Sequence, residues 1–255
     1  MSMGKLRGCI LLLLAIQAGH GRAADSGFSS EKASKLQKFV NGLIDCRKYV
    51  GMSIALVKDG ETVFAQGFGY RDRQNRLRME NNTSISIGSI SKGFTATLVA
   101  HAVSKEQLKW DQPLRDILGN DFRLMDEFRT EKATTRDLLA HTLGIPSFIG
   151  ATMGIINVTR EELCMKKLQH FPTKSDFRAK LEYSNFNFLL AGYVTEKLRR
   201  KTWENDVTET LFKALGMSDT KVGPKLTSAD WQNTAYSHSI QDGKIVKNPE
   251  EDILP

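Results

Sequence analysis

The chain has 255 residues, of which 40% are hydrophobic and 25% charged, with a formal net charge of +7. This composition excludes a disordered or collagen-like chain and leaves room for one large globular domain or two small ones. Lys5, Arg7 and Arg22 lie in the first 23 residues with no acid among them, so without that stretch the charge falls to +4, and the scattered remainder lacks the dense basic face of a nucleic-acid binder.

At the N-terminus, Lys5 and Arg7 precede the apolar run Cys9 to Ile16, and small residues follow at Gly19, Gly21 and Ala23. This is the pattern of a secretory signal peptide over residues 1–23, cut after Gly21 or Ala23, with an apolar run too short to span a bilayer. It predicts a secreted, extracellular protein with no membrane contact once the signal is removed. Cys9 leaves with the signal. Cys46 and Cys164 then permit one disulfide in an oxidising compartment, or remain two unpaired buried thiols. Export also gives meaning to three glycosylation sequons, at Asn81, Asn82 and Asn157. No Cys/His cluster has metal spacing, and neither a metal nor a cofactor is expected.

Beyond the signal, Leu36, Phe39, Val40, Leu43 and Ile44 recur at helical spacing and predict an amphipathic helix capped by Ser29 or Ser30. Met52 to Val57 and Glu61 to Gln66 read as strands joined by the hairpin signal Asp59-Gly60. Gly67-Phe68-Gly69 ends the second strand; it lacks the third glycine and the following helix of a dinucleotide-binding loop. From Ser89 a helix runs through Phe94, Leu98 and Val99 to about Ser104. Residues 133–142 form a short helix led by Thr134 or Thr135 and ended at Gly144 before Pro146. Phe188 to Leu198 and Val207 to Leu215 are further helices, the second closed by Gly216. Thr234 to Val246 is a hairpin around Asp242-Gly243. Strands at both ends with helices between them predict an α+β fold, with helix and hairpin over 28–70, a helical block over 86–220 and a C-terminal hairpin over 228–248.

The chemistry concentrates at two places. Ser89 and Lys92 are three apart at a helix start, so the amine lies one turn along the same face as the hydroxyl, an arrangement that can activate a nucleophile. A second copy of the spacing, Ser29-Ser30-Glu31-Lys32, is read as capping. Tyr183-Ser184-Asn185 enters the helix that begins near Phe186, and its phenol and amide can face one site as proton carrier and orienting group. His101, His170 and His238 are assigned no role.

Ile87-Gly88-Ser89-Ile90-Ser91-Lys92, then Thr135-Arg136-Asp137-Leu138-Leu139-Ala140-His141-Thr142-Leu143-Gly144-Ile145-Pro146, then Tyr183-Ser184-Asn185 resemble the serine β-lactamase and penicillin-binding-protein family, in its class C and esterase-like branch. Ser53 to Gly60 with Gly67-Phe68-Gly69-Tyr70 resembles the family's first hairpin, and Leu215 to Thr220 its Leu-Gly-Met segment. The resemblance implies a β-lactamase-like fold, an antiparallel sheet flanked by a helical domain, and within the family's Leu-Leu-x-His-Thr segment it implies that His141 is a structural, hydrogen-bonded histidine. It assigns Ser89, Lys92, Tyr183 and Asn185 as catalytic, with hydrolysis or transfer of small ester or amide acyl groups through Ser89. The family's third site element, a Lys-Thr-Gly or His-x-Gly strand, is not found before Pro255, so the C-terminal sheet strands are expected to be missing and activity impaired. Smaller departures are Arg178-Ala179 in place of Pro-Gly, Leu143 in place of Ser and Asn187 in place of Gly. The alternative is a non-catalytic extracellular binding or matrix protein that retains the fold, as in shell organic matrix, with an acidic matrix or mineral surface as partner in place of the small-molecule substrate.

Overall fold

The computed structural model describes residues 12–14, 28–46, 49–147, 158–223 and 227–248. In chain order these form β1 (Leu12–Leu14), α1 (Ser30–Asp45), β2 (Gly51–Lys58), β3 (Glu61–Asp72), β4 (Leu77–Arg78) and β5 (Ile85–Ser86). There follow α2 (Lys92–Ser104), α3 (Leu114–Leu118), α4 (Glu127–Lys132), α5 (Thr135–Leu139), α6 (Arg160–Glu162), α7 (Asn185–Arg199) and α8 (Trp203–Val207). The last are β6 (Lys221–Val222), α9 (Ser228–Gln232), β7 (His238–Gln241) and β8 (Lys244–Lys247). A 3₁₀ turn, Gly88–Ser91, leads into α2. Within the expected leader, Leu12–Leu14 are a strand between β5 and β6; the cleavage positions and Asn157 fall outside the described residues.

The chain divides into two compact units, one made of Ser89–Gly216 and the other chiefly of the segments that flank it. In the flanking unit, β2 and β3 pair antiparallel from Gly51 opposite Gly69 to Lys58 opposite Glu61. Asp59 and Gly60 both take positive φ, 52° and 82°, which gives the two-residue turn the twist that the strands require. At Gly67 a Cβ would lie 2.4 Å from the Met79 carbonyl oxygen, so the glycine lets that backbone come close to β3. Helix α1 is capped by the Ser29 hydroxyl, which accepts from the Lys32 amide. It buries Val40 but leaves Phe39 65% exposed, a narrower packed stripe than the apolar spacing predicts. The second hairpin, β7 and β8, turns at Asp242 and Gly243, again both at positive φ. It is tied to the end of β3: Lys247 Nζ donates to the buried Asp72 at 2.9 Å, and the Arg73 amide donates to His238 Nε2 at 3.2 Å.

The unit Ser89–Gly216 is helical. Leu98, Val99 and Ala102 of α2, Leu138 of α5, and Leu190, Ala191 and Val194 of α7 are all fully buried, and this apolar contact between helices is the main term holding them together. Trp203, at the head of α8, donates its indole N–H to the Thr95 hydroxyl of α2 at 3.1 Å. It rests against Gly192 of α7, where a Cβ would stand 3.2 Å from the ring. Glycine in mid-helix weakens the helix; here it makes room for the largest fully buried side chain.

Cys46 and Cys164 are both free, so the disulfide alternative is corrected. Cys164 is completely buried in the apolar core of the helical unit, where it packs as a small hydrophobe and burial pushes its thiol well above the ordinary range. Cys46 caps the C-terminal end of α1 and is exposed.

Candidate active site

Ser89 lies in the 3₁₀ turn and Lys92 is the first residue of α2. Lys92 Nζ donates to Ser89 Oγ at 3.0 Å and to Asn185 Oδ1 at 2.7 Å. Ser89 Oγ and the Tyr183 hydroxyl share a hydrogen bond of 2.7 Å in which either can be the donor. The ammonium also stands 5.0 Å from the centre of the Tyr183 ring, within cation–π range. Hydroxyl, amine, phenol and amide therefore meet although 90 residues lie between Lys92 and Tyr183, a convergence that the family resemblance implies. Burial would raise the Tyr183 pKa, but hydrogen bonds from Lys92 and Ser89 and the charge of Lys92 outweigh it, and the phenol sits below its ordinary value. A phenol that ionises more readily, beside a hydroxyl, is a proton acceptor in position.

What holds the phenol there is largely invisible in the sequence. His141, at φ 57°, is buried; its carbonyl accepts from the Glu182 amide at 2.8 Å and its Nδ1 accepts from the Ser184 amide at 3.1 Å. Asn187 Nδ2 donates to the same nitrogen at 3.2 Å. Because the Ser184 amide is a donor, Nδ1 carries no proton and the imidazole is neutral. Desolvation, and then the charge of Lys92, pushes its pKa down and favours that state. The imidazole also packs on Tyr183, with ring centres 4.7 Å apart. On the far side of the loop, Glu182 turns inward and pairs with both Lys174 and Lys180 at 2.8 Å. The Ser184 hydroxyl donates to the Pro146 carbonyl at 3.1 Å. His141 is thus structural in the sense the sequence suggests, and its structural task is to hold Tyr183-Ser184-Asn185 in register.

Two departures from the family pattern also gain a physical reading. Arg178 occupies a left-handed backbone position, φ 61°, where glycine is at ease. Its side chain compensates by gripping Asp137 with two bonds, Nε to Oδ1 at 2.7 Å and Nη2 to Oδ2 at 2.8 Å. Asp137 also completes the capping box of α5 with Thr134. Burial alone would raise the Asp137 pKa, but the bonds from Arg178 and Thr134 win and it lies below the carboxylate norm. Asn187, in place of glycine, supplies the second donor to His141, while its own Oδ1 is buried without a partner. Nothing in the structure explains Leu143 beyond its complete burial.

A cleft of about 560 Å³ lies in the flanking unit, lined by Tyr49, Tyr70, Met79, Tyr236 and His238 among others. None of Ser89, Lys92, Tyr183 or Asn185 lines it, so size does not select it over the cluster that carries reactive groups. Among the described residues no cluster of His, Cys, Asp or Glu could hold a metal ion.

A family model described as beta-lactamase matches residues 36–251. Gigasin-6 of Magallana gigas is 26% identical over 216 residues, which cover 81% of this chain and 69% of that protein. Among solved structures, the octameric penicillin-binding protein homologue from Pyrococcus abyssi aligns with TM-score 0.70 and 26% identity over 86% of this chain and 51% of its own. D-amino acid amidase from Ochrobactrum anthropi SV3, complexed with L-phenylalanine amide, aligns with TM-score 0.71 and 25% identity over 85% of this chain and 61% of its own. The chain therefore spans between about half and about two thirds of the length of these relatives.

Proposed function

Since the chain belongs to the β-lactamase family of serine hydrolases, we propose that it transfers or hydrolyses small ester or amide acyl groups through Ser89. One observation carries the reading: the Ser89 hydroxyl is bonded at once to the Tyr183 phenol and the Lys92 ammonium, with Lys92 itself held by Asn185. In the first step the Ser89 oxygen bonds to the substrate carbonyl carbon while its proton passes to the Tyr183 phenolate, which Lys92 stabilises. The carbonyl electrons move to oxygen, and the positive end of the turn and helix that begin at Gly88 favours that anion. When the carbonyl reforms, the bond to the leaving oxygen or nitrogen breaks, and that atom takes the proton back from Tyr183. Water then attacks the acyl-serine carbonyl and gives a proton to Tyr183; the bond from the acyl carbon to the Ser89 oxygen breaks, that oxygen takes the proton from Tyr183, and the free acid leaves the Ser89 hydroxyl and the phenolate as they began.

The test is covalent labelling with a fluorescent fluorophosphonate, followed by peptide mapping. Labelling at Ser89 that disappears in Ser89→Ala supports the reading. Folded protein that takes no label refutes it and favours a non-catalytic binding or matrix role. We propose in addition that the protein is exported and acts outside the cell, on the strength of Lys5, Arg7 and the apolar run that follows them. An N-terminus at residue 22 or 24 in the mature product would support this; retention of Met1 in protein recovered from cells expressing it would refute it.

A further inference from the structure

The loop that presents Tyr183 alternates strictly. Leu181 and Tyr183 are exposed while Glu182 and Ser184 are buried, and α7 begins at Asn185. In an extended segment alternate side chains share a side, and Ser184 has extended dihedrals of −146° and 131°. Tyr183 reaches Ser89 and Asn185 reaches Lys92 from this side, so Leu181 stands on the same side as the reacting groups, two residues from the phenol, roughly 7 Å along the chain at strand spacing. It is 66% exposed. A lone exposed leucine means little. This one is held on a fixed backbone, because the buried Glu182 beside it pairs with Lys174 and Lys180 and its amide donates to the His141 carbonyl. Ile90, next in sequence to the nucleophile, is likewise exposed. The row thus runs from a polar end, Asn185 with the Lys92 ammonium, through the phenol, to an apolar end.

We propose that Leu181 is a specificity-determining residue that contacts an apolar acyl chain, so that the substrates are esters or amides of medium-chain or aromatic acids and not acetyl-sized or charged ones. This rests on the nucleophilic role of Ser89 and deepens it by naming the substrate class. The acyl group stays on Ser89 through both steps, so one fixed apolar contact beside the phenol serves acylation and deacylation alike.

The test uses a series of alkyl fluorophosphonates in which the chain on phosphorus stands in for the acyl chain. The Ser89 oxygen forms the bond to phosphorus and fluoride leaves. Each methylene removed from water is worth about fourfold in rate when fully buried and about twofold when half covered. The expected result is that the butyl probe labels Ser89 about tenfold faster than the methyl probe in the native protein, that Leu181→Ala reduces this ratio about fivefold, and that Leu181→Met restores most of it. A merely structural role would change both probes together and leave the ratio as it was. An unchanged ratio in Leu181→Ala, with Ser89 still labelled, overturns this inference alone; no labelling by any probe overturns it together with the nucleophilic role of Ser89.

Discussion

Replacing His141 by leucine separates the orienting role of the imidazole from simple filling of space. The leucine matches its bulk but removes the acceptor used by the Ser184 amide and by Asn187 Nδ2. Both donors are buried, and a buried donor left unpaired costs about 1–3 kcal/mol, so the two together cost about 2–6 kcal/mol. For a chain of this size that lowers the melting temperature by on the order of 10 °C. Below that melting point, the released loop no longer registers Tyr183 on Ser89, and fluorophosphonate labelling slows by at least about tenfold, the order expected when an acid–base partner is misplaced. Acid titration checks the same origin. The folded protein keeps His141 neutral, with a pKa below the ordinary imidazole value, whereas the unfolded chain takes up a proton below about pH 6.5. The stabilisation from the neutral ring is therefore complete above about pH 6.5 and is lost as pH falls through that value toward the depressed folded pKa. The gap in melting temperature between native protein and His141→Leu accordingly narrows between about pH 7.5 and pH 5. A variant that melts within about 2 °C of the native protein at neutral pH and labels at the same rate would refute the argument.

Tyr183→Phe removes only the hydroxyl bonded to Ser89 on a ring that is 42% exposed; labelling falls about 10²- to 10⁴-fold with no loss of stability, as measured by time-resolved mass spectrometry and thermal melting. Arg178→Gly relieves a left-handed backbone worth about 1 kcal/mol but strips the buried Asp137 of its two-bond partner, so urea unfolding should show a net loss of about 1–2 kcal/mol. Since the Asp137 pKa is lowered in the folded state, its contribution is present above the ordinary carboxylate pKa and is lost as pH falls through the folded value, and that acid slope shrinks in Arg178→Gly. Gly144→Ala places a Cβ 2.3 Å from the Ser175 carbonyl oxygen at φ 72°; a loss of at least about 2 kcal/mol is expected, and an equally stable variant would contradict the close approach. Lys247→Met leaves Asp72 buried without its cation, at a cost of about 3–5 kcal/mol, read as early denaturant unfolding that is partly repaired by Asp72→Asn in the double variant.

The elements legible in the sequence are those whose signal is local. Asp59-Gly60 and Asp242-Gly243 mark hairpins because left-handed turns demand such residues, and Ser29 and Thr134 mark helix starts because their hydroxyls can reach an amide three residues on. Ser89 with Lys92, and Tyr183 with Asn185, can be read as pairs for the same reason. Their convergence comes from tertiary packing, and only the resemblance to a family supplies it before a structure is seen. The short strands Leu77–Arg78, Ile85–Ser86 and Lys221–Val222 carry too few residues for a period to show. The bracing by His141 and Arg178 depends on partners dozens of residues away, while the Glu182 carboxylate pairs with Lys174 and Lys180 close by in a loop with no period to mark it. The one visible trace of the Arg178 grip is that Arg178-Ala179 stands where a Pro-Gly turn is usual, which invites a search for a buried acid to hold the arginine. Phe39 misleads in the opposite direction, since helical spacing places it on the packed face and the neighbouring surface does not cover it.

Trp203 gives the helical unit an optical signature of its own. It is one of three tryptophans, its indole is closed off from water between α2 and α7, and it donates to a neutral hydroxyl, so it emits toward the blue and is shielded from iodide. Trp110 and Trp231 are only half-buried and emit further to the red. The blue edge of the fluorescence spectrum therefore follows the packing around α2, the helix that begins at Lys92, by itself, and a ligand that tightened or loosened this helix pair would register there without any added dye.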